Sequence, residues 1–483
     1  MISHQEIMDF AREFSLAPQI VEKDYVLGWL LAGISAHPAL ADSWAFKGGT
    51  CLKKCYFETY RFSEDLDFTL TNPDHLGEDF LVEVFSQISE WTMEQSGIEM
   101  PRETLRFEVY ENPRGKKSVQ GRIGYRGPMS RRGDVPRIKL DLTNDEVLVL
   151  ELARRPVHHP YSDNPPNGIE IGCYAFEEVF AEKIRALAER ERPRDLYDVV
   201  HLYRHDELRP DRAQVVQVLQ EKCTFKGIPV PDFQQLDESP HRVELEAEWA
   251  NMLAHQLPVL PAFAQFWQEL PALFEWLHRR MERPSRPAIR APGPRIDETW
   301  RPPAMGTAWN MQAPLEIIRF AAANHLCIDL EYRDQRGRTS NRLIEPYSLR
   351  RSQEGNLLLY AVKHETGESR SYRVDRILGA EATRTSFVPR FQIELTPVGP
   401  ISAPTLTRPQ SVYSPSRDPR PRSTVRRHGR VGTTHGMKYV FRCTVCHKLF
   451  YRKSYDASLN AHKNKRGLPC PGRIGIHVKT TYR

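Results

Sequence analysis

Two kinds of apolar spacing follow one another in the first 100 residues, and they predict helices on either side of a strand. Residues 4–35 place apolar side chains three or four positions apart, as one buried helix face requires. Residues 65–70 alternate instead, so Asp65 and Asp67 share one face of a strand and the leucine and phenylalanine side chains take the other. The helical spacing returns over residues 77–95. The pattern therefore predicts a strand that carries two carboxylates on a single face.

The alternating and helical patterns continue in separate blocks further along the chain. Four alternating runs predict strands at residues 105–110, 119–125, 137–142 and 147–150. From residue 175 to about residue 278 the spacing is mainly helical. Because strands followed by helices are the order of an α+β protein, we predict a small mixed α/β core with a helical bundle after it.

Two proline-rich segments divide the remainder of the chain. Residues 283–310 are rich in proline and arginine, and residues 401–436 are rich in proline, serine, threonine and arginine. Neither composition suits the interior of a helix or strand, so we predict a linker and a disordered basic linker. The predicted domains are residues 1–282, with a core at about 1–160 and a helical part at about 170–282, then 311–400 and 437–483.

Charge divides the chain near the first of these breaks. The 483 residues carry a formal net charge of +6, but residues 1–285 hold 33 lysines and arginines against 47 acids, and residues 286–483 hold 35 against 15. The acidic first part is not typical of a stand-alone polyanion binder, whereas the basic second part can attract nucleic acid. The alternative is that the basic segments are only solvated tails.

The chain lacks the usual signals for secretion or membrane insertion. No stretch approaches about 18 uninterrupted apolar residues, and the N-terminus has no basic segment followed by an apolar one. The eight cysteines are scattered, which argues against a disulfide scaffold. We therefore expect a cytoplasmic protein, in which Cys51 and Cys55 act as small apolar packing residues.

A glycine pair precedes the strand that carries the two carboxylates. Two residues without Cβ atoms let backbone N–H groups approach an anion such as a triphosphate. Asp65 and Asp67 then need a cation between them and the phosphates, and hard carboxylate oxygens favour Mg²⁺. The candidates for nucleotide binding in this segment are Lys47, Gly48, Gly49 and Thr50.

These segments resemble the AbiEii/AbiGii-type toxins, a branch of the nucleotidyltransferase superfamily built like DNA polymerase β. Besides Gly-Gly-Thr and Asp-x-Asp, the resemblance rests on Val-Glu-Lys-Asp-Tyr at 21–25, Arg-Phe-Ser-Glu-Asp-Leu-Asp at 61–67, Ala-Glu-Lys-Ile-Arg-Ala-Leu at 181–187 and Arg-Asp-Leu-Tyr-Asp at 194–198. It spans roughly residues 1–280. It implies a toxin that transfers NMP from an NTP to RNA, at the 3′ end of a tRNA, in a toxin–antitoxin or phage-defence setting with a cognate antitoxin.

A polymerase-like centre with two metal ions needs a third carboxylate from a neighbouring strand. Within residues 137–142, Asp141 faces away from the apolar side chains, so we predict that it binds the second metal and accepts a proton from the attacking hydroxyl. Asp145 and Glu146 are rivals, although Asn144-Asp145 has the character of a turn.

The helix predicted from residue 175 carries a lysine at the edge of its apolar stripe. Lys183 can project its ammonium group into the cleft against the β- and γ-phosphates, or it can simply reach solvent. In the resembled toxins this lysine and the following Arg-Asp pair belong to the active site. The catalytic residues that we predict are Asp65, Asp67, Asp141, Lys183 and Asp195, and the nucleotide-binding residues also include Ser63 and Arg194.

Two other functions fit parts of the sequence. Some related folds transfer a nucleotidyl or phosphoryl group to a protein hydroxyl, and the sequence does not name the acceptor. A non-catalytic, nucleic-acid-sensing regulator would keep the nucleotide fold as a relic. Three carboxylates in one place argue against a relic, because like charges are costly to bring together.

Residues 311–400 begin with a predicted helix at 314–324, and the short strands after it resemble a WYL domain. The resemblance lies in residues 328–333, 341–349, 356–361 and 370–377. It implies an SH3/Sm-like β-barrel that senses a nucleotide or nucleic-acid ligand.

The WYL-like segment departs from its family at the residues that name it. Leu357, Leu358 and Leu359 stand where Trp-Tyr-Leu is expected, so no aromatic ring is available there for a stacked ligand. Three arginines remain as candidate ligand contacts, although on a strand the first two fall on opposite faces and solvation is the alternative. They are Arg370, Arg373 and Arg376.

The last 47 residues contain a Cys-x2-Cys pair and two later candidate ligands, which indicates structural Zn²⁺ in a zinc-ribbon-like module. The predicted set is Cys443, Cys446, His462 and Cys470, with His447 and His477 as alternatives. This segment holds 11 lysines and arginines against one acid, so nucleic-acid contact is also expected. The candidates for that contact are Lys453 and Arg466.

Overall fold

The computed structural model divides the chain into two compact units, residues 1–407 and 408–483. In the first unit it describes residues 1–14, 16–57, 60–111, 115–129, 135–204, 210–279, 285–300, 302 and 314–395. In the second it describes residues 438–443, 445–446, 448–452, 459, 462–463, 469–470 and 475–481. The predicted disordered linker, 401–436, lies outside these ranges. No helix in the described ranges is long and apolar enough to cross a membrane.

The N-terminal helical region is two helices rather than one. Helix α1 (His4–Glu13) begins at Ser3, whose side chain accepts a hydrogen bond from the N–H of Glu6. Helix α2 (Pro18–Ala36) starts with a proline, which is compatible with the first turn of a helix because that turn has no N–H partner to lose. Nearly all of α2 is buried. It packs in the same core as the sheet that carries the predicted carboxylates.

A mixed sheet of seven strands forms the centre of the first unit. Its strand order is β3-β4-β5-β2-β1-β7-β6. The pairs β2·β5 and β1·β7 are parallel and the other pairs are antiparallel. The strands are β1 (Trp44–Lys47), β2 (Asp65–Leu70), β3 (Arg106–Glu111), β4 (Lys117–Gly124), β5 (Arg137–Thr143), β6 (Ala153–Pro156) and β7 (Glu170–Cys173).

The predicted strand at residues 147–150 is wrong. The segment is a loop whose backbone N–H groups bond to a buried carboxylate instead of a neighbouring strand. The N–H groups of Val149 and Leu150 donate to Glu178 at 3.2 and 2.7 Å. A side-chain acceptor brought by a distant helix replaced the strand ladder, and the alternation of residues 147–150 could not reveal it.

Helices precede, interrupt and follow the strands of this sheet. After β1 the chain enters a short helix, α3 (Gly48–Cys51), which continues as a π-helical turn at Leu52–Tyr56. The predicted helix at 77–95 is confirmed as α4 (Glu78–Ser96), and the predicted helix from residue 175 as α5 (Phe176–Arg190). The helical part continues as α6 (Pro193–Arg204), α7 (Arg212–Lys226), α8 (Phe233–Asp237), α9 (Arg242–Leu253), α10 (Phe263–Trp267) and α11 (Leu270–Arg279).

A second sheet follows helix α12 (Leu315–Ala323) in the WYL-like region. Its five antiparallel strands have the order β11-β10-β9-β8-β12. No strand pairing among the described residues joins the edge strands, so the sheet is open where the sequence predicts a barrel. The strands are β8 (Leu326–Arg333), β9 (Thr339–Arg351), β10 (Leu357–Lys363), β11 (Ser369–Arg373) and β12 (Ile377–Ser386).

The WYL-like region and the mixed α/β region share one hydrophobic core. Helix α12 contributes apolar side chains to the same cluster as α2 and the seven-stranded sheet, and its Arg319 is fully buried. The hydroxyl of Tyr197 on α6 donates to Asn324 Oδ1 at 2.9 Å, and Gln265 Nε2 donates to the Asn324 carbonyl at 2.9 Å. The end of α12 is therefore bonded to the helical part of the first unit.

The second unit contains five short strands in its described residues. They are β13 (Lys438–Cys443), β14 (Leu449–Arg452), β15 (His462–Lys463), β16 (Pro469–Cys470) and β17 (Gly475–Thr481). Three form a sheet in the order β14-β13-β17, and β15 pairs with β16. The small core consists of Cys443, Leu459 and Cys470, with Cys446 and Phe450 packed against it.

Candidate active site

Three carboxylates lie on one face of the seven-stranded sheet. Asp67 on β2 pairs in register with Asp141 on the parallel strand β5. Asp65 lies two residues earlier on β2, so the pleat directs it to the same face. The opposite face of these strands carries buried apolar residues such as Leu66 and Leu140. Two segments that are distant in the sequence therefore place their carboxylates in one cluster.

The electrostatics of this cluster disfavour the charged carboxylates. Burial raises the pKa of Asp67 to about 6, and the charges of Asp141 and Asp65 add to that rise while nearby lysines oppose it. Burial and the charge of Asp65 also raise the pKa of Asp141. Like charges that face one another on a sheet become stable when a cation lies between them. The cluster thus has the donor atoms and the unbalanced charge of a site for a hard divalent cation.

The glycine pair lies directly against these carboxylates. Gly48 has φ +81°, a left-handed conformation that favours glycine, and a Cβ atom there would lie 2.1 Å from Asp67 Oδ2. A Cβ atom on Gly49 would lie 2.6 Å from Arg61 Nη2 and 3.0 Å from Ser63 Oγ. Gly48 is therefore favoured by its backbone conformation, whereas a side chain at Gly49 would have to displace the Arg61 guanidinium; the loop also brings the predicted nucleotide-binding Ser63 next to Gly49.

Lys47 and Thr50 complete this loop from its two ends. Lys47 pairs in register with Asp67 and places Nζ 3.3 Å from Glu182 Oε1. Burial lowers the pKa of Lys47, but the surrounding acids outweigh it and hold that pKa above its ordinary value. The Thr50 hydroxyl donates a hydrogen bond to the Asp65 carbonyl. Thr50 thereby fixes the loop on strand β2, so its hydroxyl is already engaged.

Lys183 lies in a buried network of ion pairs beside the cluster. Its Nζ is 2.8 Å from Asp198 Oδ2 and 3.6 Å from Asp195 Oδ1, and its charge lowers the pKa of Asp67. The resemblance implies that Asp195 belongs to the active site, but Asp198 is the nearer partner of this lysine. Asp195 instead accepts two hydrogen bonds from Arg190, at 2.9 and 3.0 Å.

Asp198 and Arg61 are structural members of the site that sequence reasoning missed as functional residues. Arg61 binds both oxygens of Asp198, at 2.7 and 2.8 Å, and the Tyr60 hydroxyl also donates to this carboxylate. Burial raises the pKa of Asp198, yet Arg61 and Lys183 hold it well below the usual range. The spacing of Asp195 and Asp198, three apart on one helix, is the signal that places both on one face.

The rival carboxylates are paired elsewhere. Asp145 Oδ2 lies 3.5 Å from Lys226 Nζ, and Glu146 Oε1 lies 3.0 Å from the same atom and 3.2 Å from Arg185 Nη2. Both acids therefore have cations from helices α5 and α7 as partners. Asp141, by contrast, is the register partner of Asp67.

Arg194 lies at the rim of the cluster. It is half-buried, and its Nε forms no hydrogen bond with the described part of the chain. Burial and the charge of Arg61 lower the pKa of Arg194, while Asp65 acts in the opposite sense. A guanidinium with a spare donor beside Asp65 is suited to an incoming phosphate group.

Comparison with known families identifies the domain that carries this cluster. A family model described as the nucleotidyl transferase AbiEii toxin of type IV toxin–antitoxin systems matches residues 29–278, more than half of the chain. The chain belongs to the AbiEii family. Its AbiEii domain is accordingly that of an NTP-dependent nucleotidyltransferase toxin, and a WYL domain model matches residues 314–382.

Individual relatives add little to the family match. Among solved structures, the nucleotidyltransferase toxin MenT4 of Mycobacterium tuberculosis is similar at 17% identity, with 58% of this chain and 91% of that chain covered. The TM-score is 0.39, which is too low to carry an argument about this protein. No curated protein matches the chain.

The zinc ligands predicted in the second unit come together. The ligand atoms of Cys443, Cys446, His462 and Cys470 all lie within 4.8 Å of one another. Cys443 Sγ is 3.8 Å from Cys470 Sγ, and Cys446 Sγ is 3.3 Å from His462 Nε2. Three thiols and an imidazole in one small cluster are compatible with a tetrahedral Zn²⁺ site. His447, Lys453 and Arg466 lie outside the described residues, and the backbone of His477 lies on β17.

The WYL-domain arginines have partners close to them in sequence. Arg370 Nη2 lies 2.8 Å from Glu368, and Arg373 binds both oxygens of Asp375 at 3.0 and 2.7 Å. Arg376 lies in a 3₁₀ turn after β11, off the strand that holds the other two. The structure therefore does not gather the three arginines into one group.

Three further cysteines lie together inside the AbiEii domain. Cys51 and Cys55 are buried in its core, as packing residues should be. Their sulfur atoms and that of Cys173 lie within 4.8 Å of one another. The trio brings the end of α3 and the π-helical turn after it close to the end of strand β7.

Proposed function

We propose that the AbiEii domain transfers NMP from an NTP to an RNA acceptor, the 3′ end of a tRNA, and so acts as a toxin that blocks translation. The observation that carries this proposal is the set of three carboxylates directly against the Gly48-Gly49 loop. The choice of RNA rests on the sequence resemblance and on the basic C-terminal part of the chain. A cognate antitoxin is the expected partner of a type IV toxin.

The donor set fits Mg²⁺. Asp65, Asp67 and Asp141 offer only hard carboxylate oxygens, and burial, with the charges of its two acidic neighbours, raises the pKa of Asp67, which a bound cation would oppose. When bound, the ion neutralises phosphate charge and favours the ionised form of the acceptor hydroxyl. The soft Cys/His cluster of the second unit would hold Zn²⁺ as a structural ion instead.

The protein groups around the carboxylates have distinct roles in this reaction. The N–H groups of Gly48 and Gly49 face the β/γ end of the triphosphate, and Lys183 neutralises charge there as pyrophosphate leaves. Asp141 accepts the proton of the acceptor hydroxyl. Asp198 holds the ammonium group of Lys183 in place, so it is a positioning residue.

Labelled nucleotides test the proposal. The full chain is incubated with total tRNA and with bacterial protein extract, using NTP labelled at the α-phosphate in one series and at the γ-phosphate in another, with and without EDTA. We expect α-label in the RNA fraction only, no γ-label, and no transfer with EDTA. Label in protein, or γ-label in either fraction, would overturn the RNA nucleotidyl transfer.

A further inference from the structure

A row of basic side chains leads from the catalytic carboxylates across the sheet. In the strand register, Lys139 on β5 pairs with Asp65, Arg122 on β4 pairs with Lys139, and Arg106 on β3 pairs with Arg122. Register partners on adjacent strands project from the same face, so all three cations share the face of the carboxylates. Adjacent strands lie about 4.8 Å apart, so the row extends roughly 14 Å from the strand of Asp65.

This face of strands β3, β4 and β5 is open to solvent. Arg106 and Lys139 are exposed and Arg122 is half-buried, whereas the other face of the same strands buries Phe107, Val119 and Ile138. One end of the face carries an aromatic ring, because Tyr110 shares the parity of Arg106 on β3 and is 49% exposed. Cations in a line with an exposed aromatic residue are typical of surfaces that bind single-stranded nucleic acid.

The chemistry of the transfer decides which substrate this face receives. The glycine loop follows β1, on one side of β2, and strands β5, β4 and β3 lie on the other side. In phosphoryl-group transfer the attacking and leaving oxygens are roughly in line, so the acceptor approaches from the side opposite the departing pyrophosphate. With the triphosphate tail at the loop, the acceptor has to come over β5.

We propose that Lys139, Arg122 and Arg106 bind the phosphate backbone of the RNA acceptor and direct its 3′ end to Asp141. This inference rests on the proposed function and names the surface that the acceptor uses. The row is long enough for a few successive phosphates, at about 3.4 Å of rise per nucleotide in a helical strand. An acidic domain can bind RNA in this way because the cations are concentrated beside the site.

Glu108 lies within this row of cations, and its substitution should have the opposite effect on RNA binding. Glu108 Oε1 lies 3.2 Å from Arg122 Nη1, and these side chains are 63% and 39% exposed. Such an exposed pair is weak, so an RNA phosphate can displace Glu108 at little cost. The substitution Glu108→Gln should therefore strengthen RNA binding, whereas loss of the cations should weaken it.

Steady-state transfer to total tRNA tests the surface with the full chain. The triple variant Arg106→Gln, Arg122→Gln, Lys139→Gln should raise the KM for tRNA by about tenfold or more and reduce the salt slope of tRNA binding by about 2 to 3. Its KM for NTP should change far less, which also shows that it is folded. E108Q should lower the KM for tRNA, and the charge-preserving Arg106→Lys, Arg122→Lys, Lys139→Arg should restore most of the affinity.

Lys117 provides the matched control. It is an exposed cation on β4, but its parity is that of the buried Val119, on the opposite face. K117Q should leave the KM for tRNA unchanged. If wild type labels tRNA while the triple variant keeps the wild-type KM and salt slope, the surface is wrong and the proposed function stands. If wild type labels no RNA, both are wrong.

Discussion

Two groups of carboxylates in the same cleft are held in opposite ways. Asp195 and Asp198 each receive a guanidinium that binds both oxygens, and Lys183 lies between them. Asp67 and Asp141 face one another on adjacent strands, with Asp65 beside them. The pKa of Asp198 is accordingly depressed, whereas burial and like charge raise the pKa of Asp67.

The difference separates acids that are bonded to arginine side chains from acids that face one another. A buried acid with bonded cations is already neutralised, and removing it leaves those cations without a counter-charge. An acid that faces other acids is costly without a counter-charge, so this arrangement is compatible with a cation site. Substitutions can break or sharpen this comparison.

The largest effect is expected for a substitution in the Cys/His cluster of the second unit. Cys470→Ser should abolish Zn²⁺ binding there, since apparent free energies of structural zinc sites are about 10 kcal/mol or more. Native mass spectrometry of the full chain should count one ion in wild type and none in the variant. Cys173→Ser is the control, because its trio is treated as core packing.

Two other outcomes of the zinc experiment would change the assignment of metal ligands. Retention of the ion by Cys470→Ser would contradict the assigned ligands. A count of two ions, reduced to one by Cys173→Ser, would instead make the buried trio a second metal site.

The next effect should come from Asp67→Asn. Transfer activity should fall by at least about a thousandfold, equivalent to roughly 4 kcal/mol of transition-state stabilisation. Without metal, the variant should be more stable than wild type at pH 7. The folded state raises the pKa of Asp67 from 3.8 to about 6, so the stability that wild type gains from the protonated carboxyl is lost as the pH rises through that range. Thermal melts with EDTA at pH 7 and pH 4 measure this change in stability. The difference in melting temperature between Asp67→Asn and wild type should be smaller at pH 4 than at pH 7.

Asp198→Asn, by contrast, should lower the free energy of unfolding. It leaves Arg61 and Lys183 buried without their shared carboxylate, which costs about 3 to 5 kcal/mol of unfolding free energy. Urea denaturation at neutral pH measures the loss. The control is Glu99→Gln, which breaks an exposed pair with Arg126 and should cost less than about 1 kcal/mol. Equal losses in the two variants would remove the distinction drawn for Asp198.

The smallest effect is expected for the WYL-domain arginines. Arg373→Ala and Arg370→Ala each remove an exposed pair with a neighbour two residues away, so the free energy of unfolding should fall by less than about 1 kcal/mol. Equilibrium unfolding of the full chain tests this. A larger loss would mean that these arginines support the fold rather than await a ligand.

Much of the site could be predicted from the sequence, because the face that a strand residue occupies follows from the local alternation of side chains. Alternation alone assigned Asp65 and Asp67 to one face of their strand and Asp141 to the polar face of another, and the sheet register shows that these faces coincide. The exact partner of Lys183 could not be assigned in this way. The choice between Asp195 and Asp198 depends on which acid Arg190 and Arg61 occupy, and both arginines arrive from other segments.

Elements that depend on distant partners were the ones that sequence patterns missed. Residues 147–150 alternate like a strand, but the buried Glu178 takes their N–H groups. The basic row from Lys139 to Arg106 is visible only when the register of three strands is known. In the WYL sheet, strands β8 to β11 pair with their neighbours in sequence, but β12 pairs with the distant β8, and alternation does not specify that pairing.

Mn²⁺ binding to the full chain tests the central comparison most directly, because Mn²⁺ shares the preference of Mg²⁺ for carboxylate oxygens and is counted by electron paramagnetic resonance. Asp67→Asn and Asp141→Asn should each weaken binding by about tenfold or more, since each removes one charged ligand. Asp198→Asn, although less stable, should keep most of the wild-type affinity. Unchanged binding in Asp67→Asn, or an equal loss in Asp198→Asn, would contradict a metal site on the carboxylate face of the sheet.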